Sequence, residues 1–195
     1  MRIIAGTIKG RVLKVPEGKT VRPTSQRVRE AIFSILHSSI DNSDCLDLYA
    51  GSGALGIEAF SRGAKSVCFV EKDPQVLTFL KSNLKYCQMD AISDVIHGDV
   101  MAQFANNPYL KKKFDLIFID PPYNHIPKDL LQNIVRHGIL SEEGLLILEH
   151  GANYDPIYPE DLNCTIKKIY GQTRVSFFKK RNTTFDKKSD LSGNF

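Results

Sequence analysis

Five short apolar runs recur along this chain, separated by helix-like segments: CLDLY (45–49), SVCFVE (66–71), DVIHGD (94–99), FDLIFID (114–120) and GLLILEH (144–150). Runs of this length, rich in Val, Ile, Leu and Phe, read as strands buried on both faces. The segments between them carry helix signals. One helix opens near Ala54 and ends before Gly63, placed as a C′ glycine. Another takes Asp73 as N-cap and Pro74 as its first residue and runs to about Tyr86, and a third covers roughly 127–137. Strands alternating with helices predict a parallel sheet built from right-handed crossovers and covered on both faces. The rhythm breaks near the end. TIKKIY (165–170), GQT and RVSFFK (174–179) predict two strands joined by a tight turn, an antiparallel hairpin.

At 195 residues the chain suits one domain, and 42% hydrophobic with 25% charged residues is ordinary globular composition. No stretch approaches the roughly 20 apolar residues of a membrane span. The start, MRIIAGTIKGRVLK, has only a three-residue apolar run, which argues against a secretory signal. Cys45, Cys68, Cys87 and Cys164 are scattered without a C-x-x-C, so buried reduced thiols in a cytoplasm are expected rather than a metal site or disulfides. No long apolar surface stripe argues for an obligate dimer, so a monomer is expected.

The overall charge of +4 hides an asymmetry. The first thirty residues hold Arg2, Lys9, Arg11, Lys14, Lys19, Arg22, Arg27 and Arg29 against Glu17 and Glu30, leaving the rest slightly acidic. A basic segment on a mildly acidic body suits a polyanion partner, although a solvated face would look the same. The expected division is a basic N-terminal extension at 1–26, a domain at 27–180 and a polar, disordered tail at 181–195. GKTVRPTSQ (18–26) is a linker into a helix capped by Thr24 or Ser25 and ending near Ser38 or Ser39. On that helix Val28, Ile32, Ile35 and Leu36 form the apolar stripe, with Arg27 and Arg29 expected off it.

After the first strand the backbone turns through Ala50, Gly51, Ser52 and Gly53 into a helix, within a literal G-x-G-x-x-G completed by Gly56. Glycines there let a ligand lie against bare backbone at a helix N-terminus. Gly56 is read as serving close helix–strand packing. Glu71 ends the next strand, 20 positions after Gly51, where a carboxylate can accept both hydroxyls of a ribose. NAD and S-adenosylmethionine fit these features equally. Asp47, just before the loop, favours the second, because a carboxylate pairs with an α-ammonium group and repels a pyrophosphate. Asp99, after the third strand, can accept from an adenine amine or cap the segment that begins at Val100.

FDLIFIDPPYN is the most specific stretch: an apolar strand ending in Asp120, then Pro121, Pro122 and Tyr123. Two prolines stiffen the turn and leave carbonyls to accept. Such a loop can hold the Asp120 carboxylate and the Pro121 carbonyl against an exocyclic NH2, with Tyr123 stacked on the base. Accepting both amine hydrogens localises a lone pair otherwise delocalised into the ring. A sulfonium methyl donor then needs neither a metal nor a covalent nucleophile.

MRIIAGTIKGR, RPTSQRVREAIFSIL, DLYAGSGALGIEAFSRGA, VEKD, FDLIFIDPPY and YGQT together resemble the RsmD-type methyltransferases, from the first residue to about residue 178. These enzymes modify N2 of one guanine in small-subunit (16S) ribosomal RNA. The resemblance implies an α/β, Rossmann-like class I methyltransferase fold with a seven-stranded sheet, helices on both faces, a terminal antiparallel hairpin and a basic N-terminal extension. It implies S-adenosylmethionine as cofactor, with Asp47, Ala50, Gly51, Ser52 and Gly53 at the methionine end. Glu71 with Lys72 would lie at the ribose and Asp99 with Val100 at the adenine. Asp120, Pro121, Pro122 and Tyr123 would hold the target amine, and Arg2, Arg11, Arg22, Arg27 and Arg29 the RNA phosphates. The expected substrate context is the assembled small subunit. Three other readings remain open. An N6-adenine DNA methyltransferase shares D-P-P-Y but usually carries a target-recognition region for which 195 residues leave no room. An NAD-dependent oxidoreductase explains the glycines and Glu71 but gives D-P-P-Y no task. A non-catalytic nucleic-acid-binding module leaves Asp47, Glu71 and Asp120 unexplained.

Overall fold

The computed structural model describes residues 1–16, 25–122 and 126–181. Among these, seven strands form one mixed sheet in the order β3-β2-β1-β4-β5-β7-β6. They are β1 (Asp44–Leu48), β2 (Ser66–Glu71), β3 (Ser93–His97), β4 (Phe114–Ile119), β5 (Leu140–Gly151), β6 (Leu162–Tyr170) and β7 (Thr173–Lys180). The first five run parallel, and β7 pairs antiparallel with both β5 and β6. The predicted terminal hairpin is therefore present, turning at Gly171 and Gln172. β5 is longer than expected, because Leu140 already pairs with Phe114 ahead of a register shift that brings Leu145 opposite Leu116.

Side chains alternate across each strand, so the sheet separates two cores. One contains Cys45, Phe69, Phe118, Ile147 and Phe177 under α1 (Gln26–Leu36), α2 (Ala54–Ser61) and α3 (Pro74–Tyr86). The other contains Leu46, Val70, Ile117, Leu148 and Phe178 under α4 (Val100–Asn106) and α5 (Leu130–Arg136). Local signals set the helix starts. Ser25 accepts from the Val28 amide at α1, and Asp73 accepts from Gln75 and Val76 ahead of Pro74 at α3. The third expected helix is shorter than its sequence suggests, beginning at Leu130.

The first residues are part of the body. Ile3 and Leu13 are buried in the first core, and residues 1–13 fold back on themselves through Ile3 N–H to Arg11 carbonyl (2.9 Å) and Gly10 N–H to Ile3 carbonyl (2.9 Å). Two buried polar side chains fasten this segment. Glu58 on α2, fully buried, accepts from the amides of Ile4 (2.8 Å) and Ala5 (3.0 Å) and from Arg62 Nε (2.8 Å). Asn83 on α3 accepts from the Lys14 amide (2.9 Å) and donates to the carbonyls of Lys14 (2.8 Å) and Ser52 (2.9 Å).

Strand order reverses direction between β1 and β4: β2 and β3 lie to one side of β1, β4 and β5 to the other. The crevice at the carboxyl ends of two such strands is where open α/β sheets bind ligands. Both distinctive motifs of the sequence open onto it.

Candidate active site

The glycine loop follows β1 directly, and its backbone is bent at three residues with positive φ: Tyr49 (65°), Gly51 (57°) and Gly53 (87°). Gly53 is the N-cap of α2, and a side chain there would strike Leu80 and Ile57. Tyr49 has no such exemption; a left-handed tyrosine stores strain of order 1–3 kcal/mol, held by the surrounding structure. Burial first, and the Asp99 charge second, push its phenol up to about 12, so its hydroxyl stays protonated beside the crevice.

Three carboxylates converge on this end of the sheet. Asp47 is buried and its Oδ2 accepts from the Gly56 amide at 2.9 Å. Glu71 clasps the loop, Oε2 accepting from Gly51 N–H and Oε1 from Asp73 N–H, each at 2.8 Å. Desolvation raises Asp47 to about 7; the Gly56 hydrogen bond opposes this, and the like charges of Asp120 and Glu71 add to it. β1 and β4 pair in parallel with Leu48 opposite Ile119, so the glycine-loop carboxylate and the D-P-P carboxylate stand at neighbouring strand ends in one site. Such a site is completed by a cation, as an ammonium or sulfonium group would do, and is hostile to a pyrophosphate. The donor set and bare-backbone loop thus fit S-adenosylmethionine.

The remaining cofactor candidates lie around the same rim. Asp99 Oδ1 accepts from the amides of Met101 (2.9 Å) and Ala102 (3.4 Å), making it the N-cap of α4. Val100 is buried in the second core, and the Lys72 carbonyl contacts His97 Nε2 at 3.2 Å. Gly56 packs as read from the sequence, since a Cβ there would lie 2.4 Å from the Phe69 ring; it also supplies the amide that holds Asp47.

Between the D-P-P turn and the end of β5 lies a cavity of about 280 Å³, lined by Asp120, Pro121, Pro122 and Ile126 on one wall and Glu149, His150, Gly151 and Tyr154 on the other. The second wall comes from the end of β5, and sequence reasoning missed it. A signal for it existed: Glu149 ends an apolar parallel strand, as Glu71 and Asp120 do. Burial disfavours a charge on His150. Its Nδ1–H donates to the Gly151 carbonyl (3.0 Å), leaving Nε2 to accept from Ser176 Oγ (2.8 Å), and burial lowers its pKa. Tyr154 stands edge-on to that ring at 5.9 Å.

The basic candidates divide. Arg2 and Arg27 are exposed. Arg11 is half-buried, donating to the Tyr86 carbonyl and lying 5.3 Å over the Tyr86 ring, which ties it to the end of α3. Arg29 corrects the reading from sequence. Only 1% exposed, it faces Glu58 at 3.6 Å and donates to the Arg2 carbonyl at 3.1 Å, so it anchors α1 to the N-terminal segment instead of facing solvent. The stripe argument failed because α1 is buried over Val28, Arg29, Ile32, Phe33 and Leu36, a wider face than the aliphatic residues mark. Arg22, Tyr123 and the tail from residue 182 lie outside the described residues.

The strand order, the antiparallel hairpin, and a glycine loop and an acidic D-P-P turn after the adjacent strands β1 and β4 define a class I methyltransferase fold. The family model described as conserved hypothetical protein 95 matches residues 1–179, and the chain belongs to this family, that of the RsmD-type methyltransferases. It is 40% identical over 185 residues to YlbH of Bacillus subtilis, covering 93% of this chain and 100% of that one. It is 34% identical over 172 residues to ribosomal RNA small subunit methyltransferase D of Haemophilus influenzae, covering 88% and 89% of the two chains. Among solved structures, that of yhhF from Escherichia coli superposes with a TM-score of 0.83 at 32% identity, covering 93% of this chain and 98% of that one.

Proposed function

We propose that the protein transfers a methyl group from S-adenosylmethionine to the exocyclic N2 amine of a guanine in small-subunit (16S) ribosomal RNA. The observation that carries this reading is the placement of Asp47 and Asp120 at the carboxyl ends of the adjacent parallel strands β1 and β4, which pair up to Leu48 opposite Ile119: a carboxylate suited to the cationic end of the methyl donor lies beside one suited to an aromatic amine. The names of the relatives from Haemophilus influenzae and Escherichia coli, both ribosomal RNA small subunit methyltransferase D, support the substrate class.

S-adenosylmethionine supplies an electrophilic methyl on a sulfonium that leaves as a neutral thioether. The protein's residues supply position and charge. Asp47 and the loop from Ala50 to Gly53 hold the methionine end, Glu71 and Lys72 border the ribose, and Asp99 and Val100 border the adenine. The Asp120 carboxylate and the Pro121 carbonyl accept the two N2 hydrogens, turning the nitrogen lone pair toward the methyl, and Tyr123 stacks on the base. The proton shed by N2 leaves along the hydrogen bond to Asp120. Holding two reactants in line accounts for most of the acceleration in a transfer that needs no covalent intermediate.

Arg2, Arg11, Arg22 and Arg27 supply phosphate contacts that orient the RNA, and a flipped-out or unpaired guanine enters the cavity. The protein acts as a monomer in the cytoplasm, its basic segment at 1–26 serving the RNA and residues 27–180 the chemistry. Among the described residues no helix is long and apolar enough to cross a membrane. The test is methyl transfer from labelled donor to unmodified small subunits, naked ribosomal RNA and duplex DNA. Label confined to DNA would overturn the substrate class.

A further inference from the structure

The cavity beside the D-P-P turn has two acidic walls. Asp120 follows β4 and Glu149 lies at the end of β5, and these neighbouring parallel strands pair in register up to Ile119 opposite Leu148, so the two carboxylates stand at adjacent positions. Side-chain alternation puts them on one face. Phe118 and Ile147 lie in the first core, and Asp120 and Glu149 each stand two residues further along their strands. Glu149 is only 6% exposed, and what it borders is the cavity. A carboxylate held there, away from bulk water, is a demanding group to place opposite a ligand. It favours hydrogen donors and rejects acceptors.

Resting on the guanine-N2 reading above, we propose that Glu149 is the residue that selects guanine, accepting N1–H of the target base, while Tyr154 closes over the base face. Guanine presents three hydrogens in a row on its Watson–Crick edge, one on N1 and two on N2. Asp120 and the Pro121 carbonyl take the two N2 hydrogens and Glu149 takes N1–H, so all three are accepted. Adenine, or any purine unprotonated at N1, sets a lone pair against the Glu149 oxygen and is turned away. Asp120 therefore serves the reacting amine, and Glu149 the identity of the ring that carries it. Tyr154, 38% exposed at the mouth and edge-on to His150, presents a ring to an incoming base.

The test uses the full chain and small-subunit RNA in which the guanine methylated by the wild type is replaced by 2-aminopurine. That base keeps the 2-amine but carries an acceptor at N1. The wild type is expected to prefer guanine by about 10,000- to 100,000-fold in kcat/KM, the range in which a site built to hydrogen-bond an N–H rejects an analogue without it. Glu149→Gln can turn an amide N–H toward N1. It is expected to lose guanine activity and gain on 2-aminopurine, collapsing the preference toward unity with unchanged affinity for S-adenosylmethionine. Glu149→Asp keeps the charge but withdraws it, and is expected to lose guanine activity without gaining on 2-aminopurine. An equal loss on both bases in Glu149→Gln, with donor binding intact, would overturn the role of Glu149 and leave the guanine-N2 reading standing. A wild type that methylates no guanine would overturn that reading itself. If Glu149→Gln no longer binds the donor, Glu149→Asp decides: unchanged guanine preference and rate in that variant contradict the proposal.

Discussion

The Gly56 amide donates to Asp47 Oδ2 at 2.9 Å, so the first turn of α2 holds the carboxylate near the end of β1. A glycine is required at this point for packing as well. A Cβ on residue 56 would meet the Phe69 ring and Val67 Cγ1 at 2.4 and 2.8 Å, and those atoms belong to the neighbouring strand. Gly56→Ala should therefore destabilise the protein by about 1–3 kcal/mol, as overpacked cores do. It should weaken S-adenosylmethionine binding as well, because α2 is pushed away from Asp47. Denaturant unfolding and calorimetry check this, and Phe69→Leu in the same chain should recover part of both losses.

Asp47 sets a pH dependence. Its folded value of about 7 stands above its ordinary 3.8, mainly through desolvation. The proton is held more tightly folded than unfolded, so this group's stability contribution is complete below pH 3.8 and is lost as pH rises to about 7. Binding of a cation reverses the preference, because the ionised carboxylate is the form that pairs. S-adenosylmethionine affinity should rise with pH up to about 7 and level off above it. Asp47→Asn should bind weakly with a flat profile. Calorimetry between pH 5 and 8 gives both curves; a wild-type affinity that falls as pH rises would contradict the assignment.

Glu58 and Arg29 form a buried pair that carries the N-terminal segment. Removing one partner of a buried ion pair leaves the other uncompensated, at about 3–5 kcal/mol. Glu58→Ala should fall in that range, and it also strips the acceptor from the amides of Ile4 and Ala5. Arg29→Met should be milder, as the aliphatic stem is replaced. Urea titrations compare the two; a larger loss in Arg29→Met would contradict the account.

Asn83 links the N-terminal segment to the glycine loop through Lys14 and the Ser52 carbonyl. Asn83→Ala leaves these buried groups without their partner, at about 1–3 kcal/mol. The expected signature is a joint loss of donor affinity and of RNA affinity. A change in neither, with stability lowered, would show that the link is structural only.

Much of this architecture was legible because the strands are written in runs buried on both faces, and because Asp73–Pro74 and the glycine turn are local signals that tertiary packing had no reason to override. Arg29 was misread since helix periodicity locates aliphatic residues but not an arginine whose partner, Glu58, lies on another helix. Asn83 was invisible for the same reason: its three bonds reach residues 31 and 69 positions away. Tyr49 in a left-handed turn has no compositional mark at all. Glu149 and Tyr154 become site residues only when β5 is laid beside β4.

The most direct measurement is mass-spectrometric mapping of the nucleotide methylated when unmodified small subunits are incubated with labelled S-adenosylmethionine and either the wild type or Asp120→Ala. The wild type should give one N2-methylguanosine, and Asp120→Ala none although the donor still binds. Label on an adenine amine, or undiminished transfer by Asp120→Ala, would contradict that expectation.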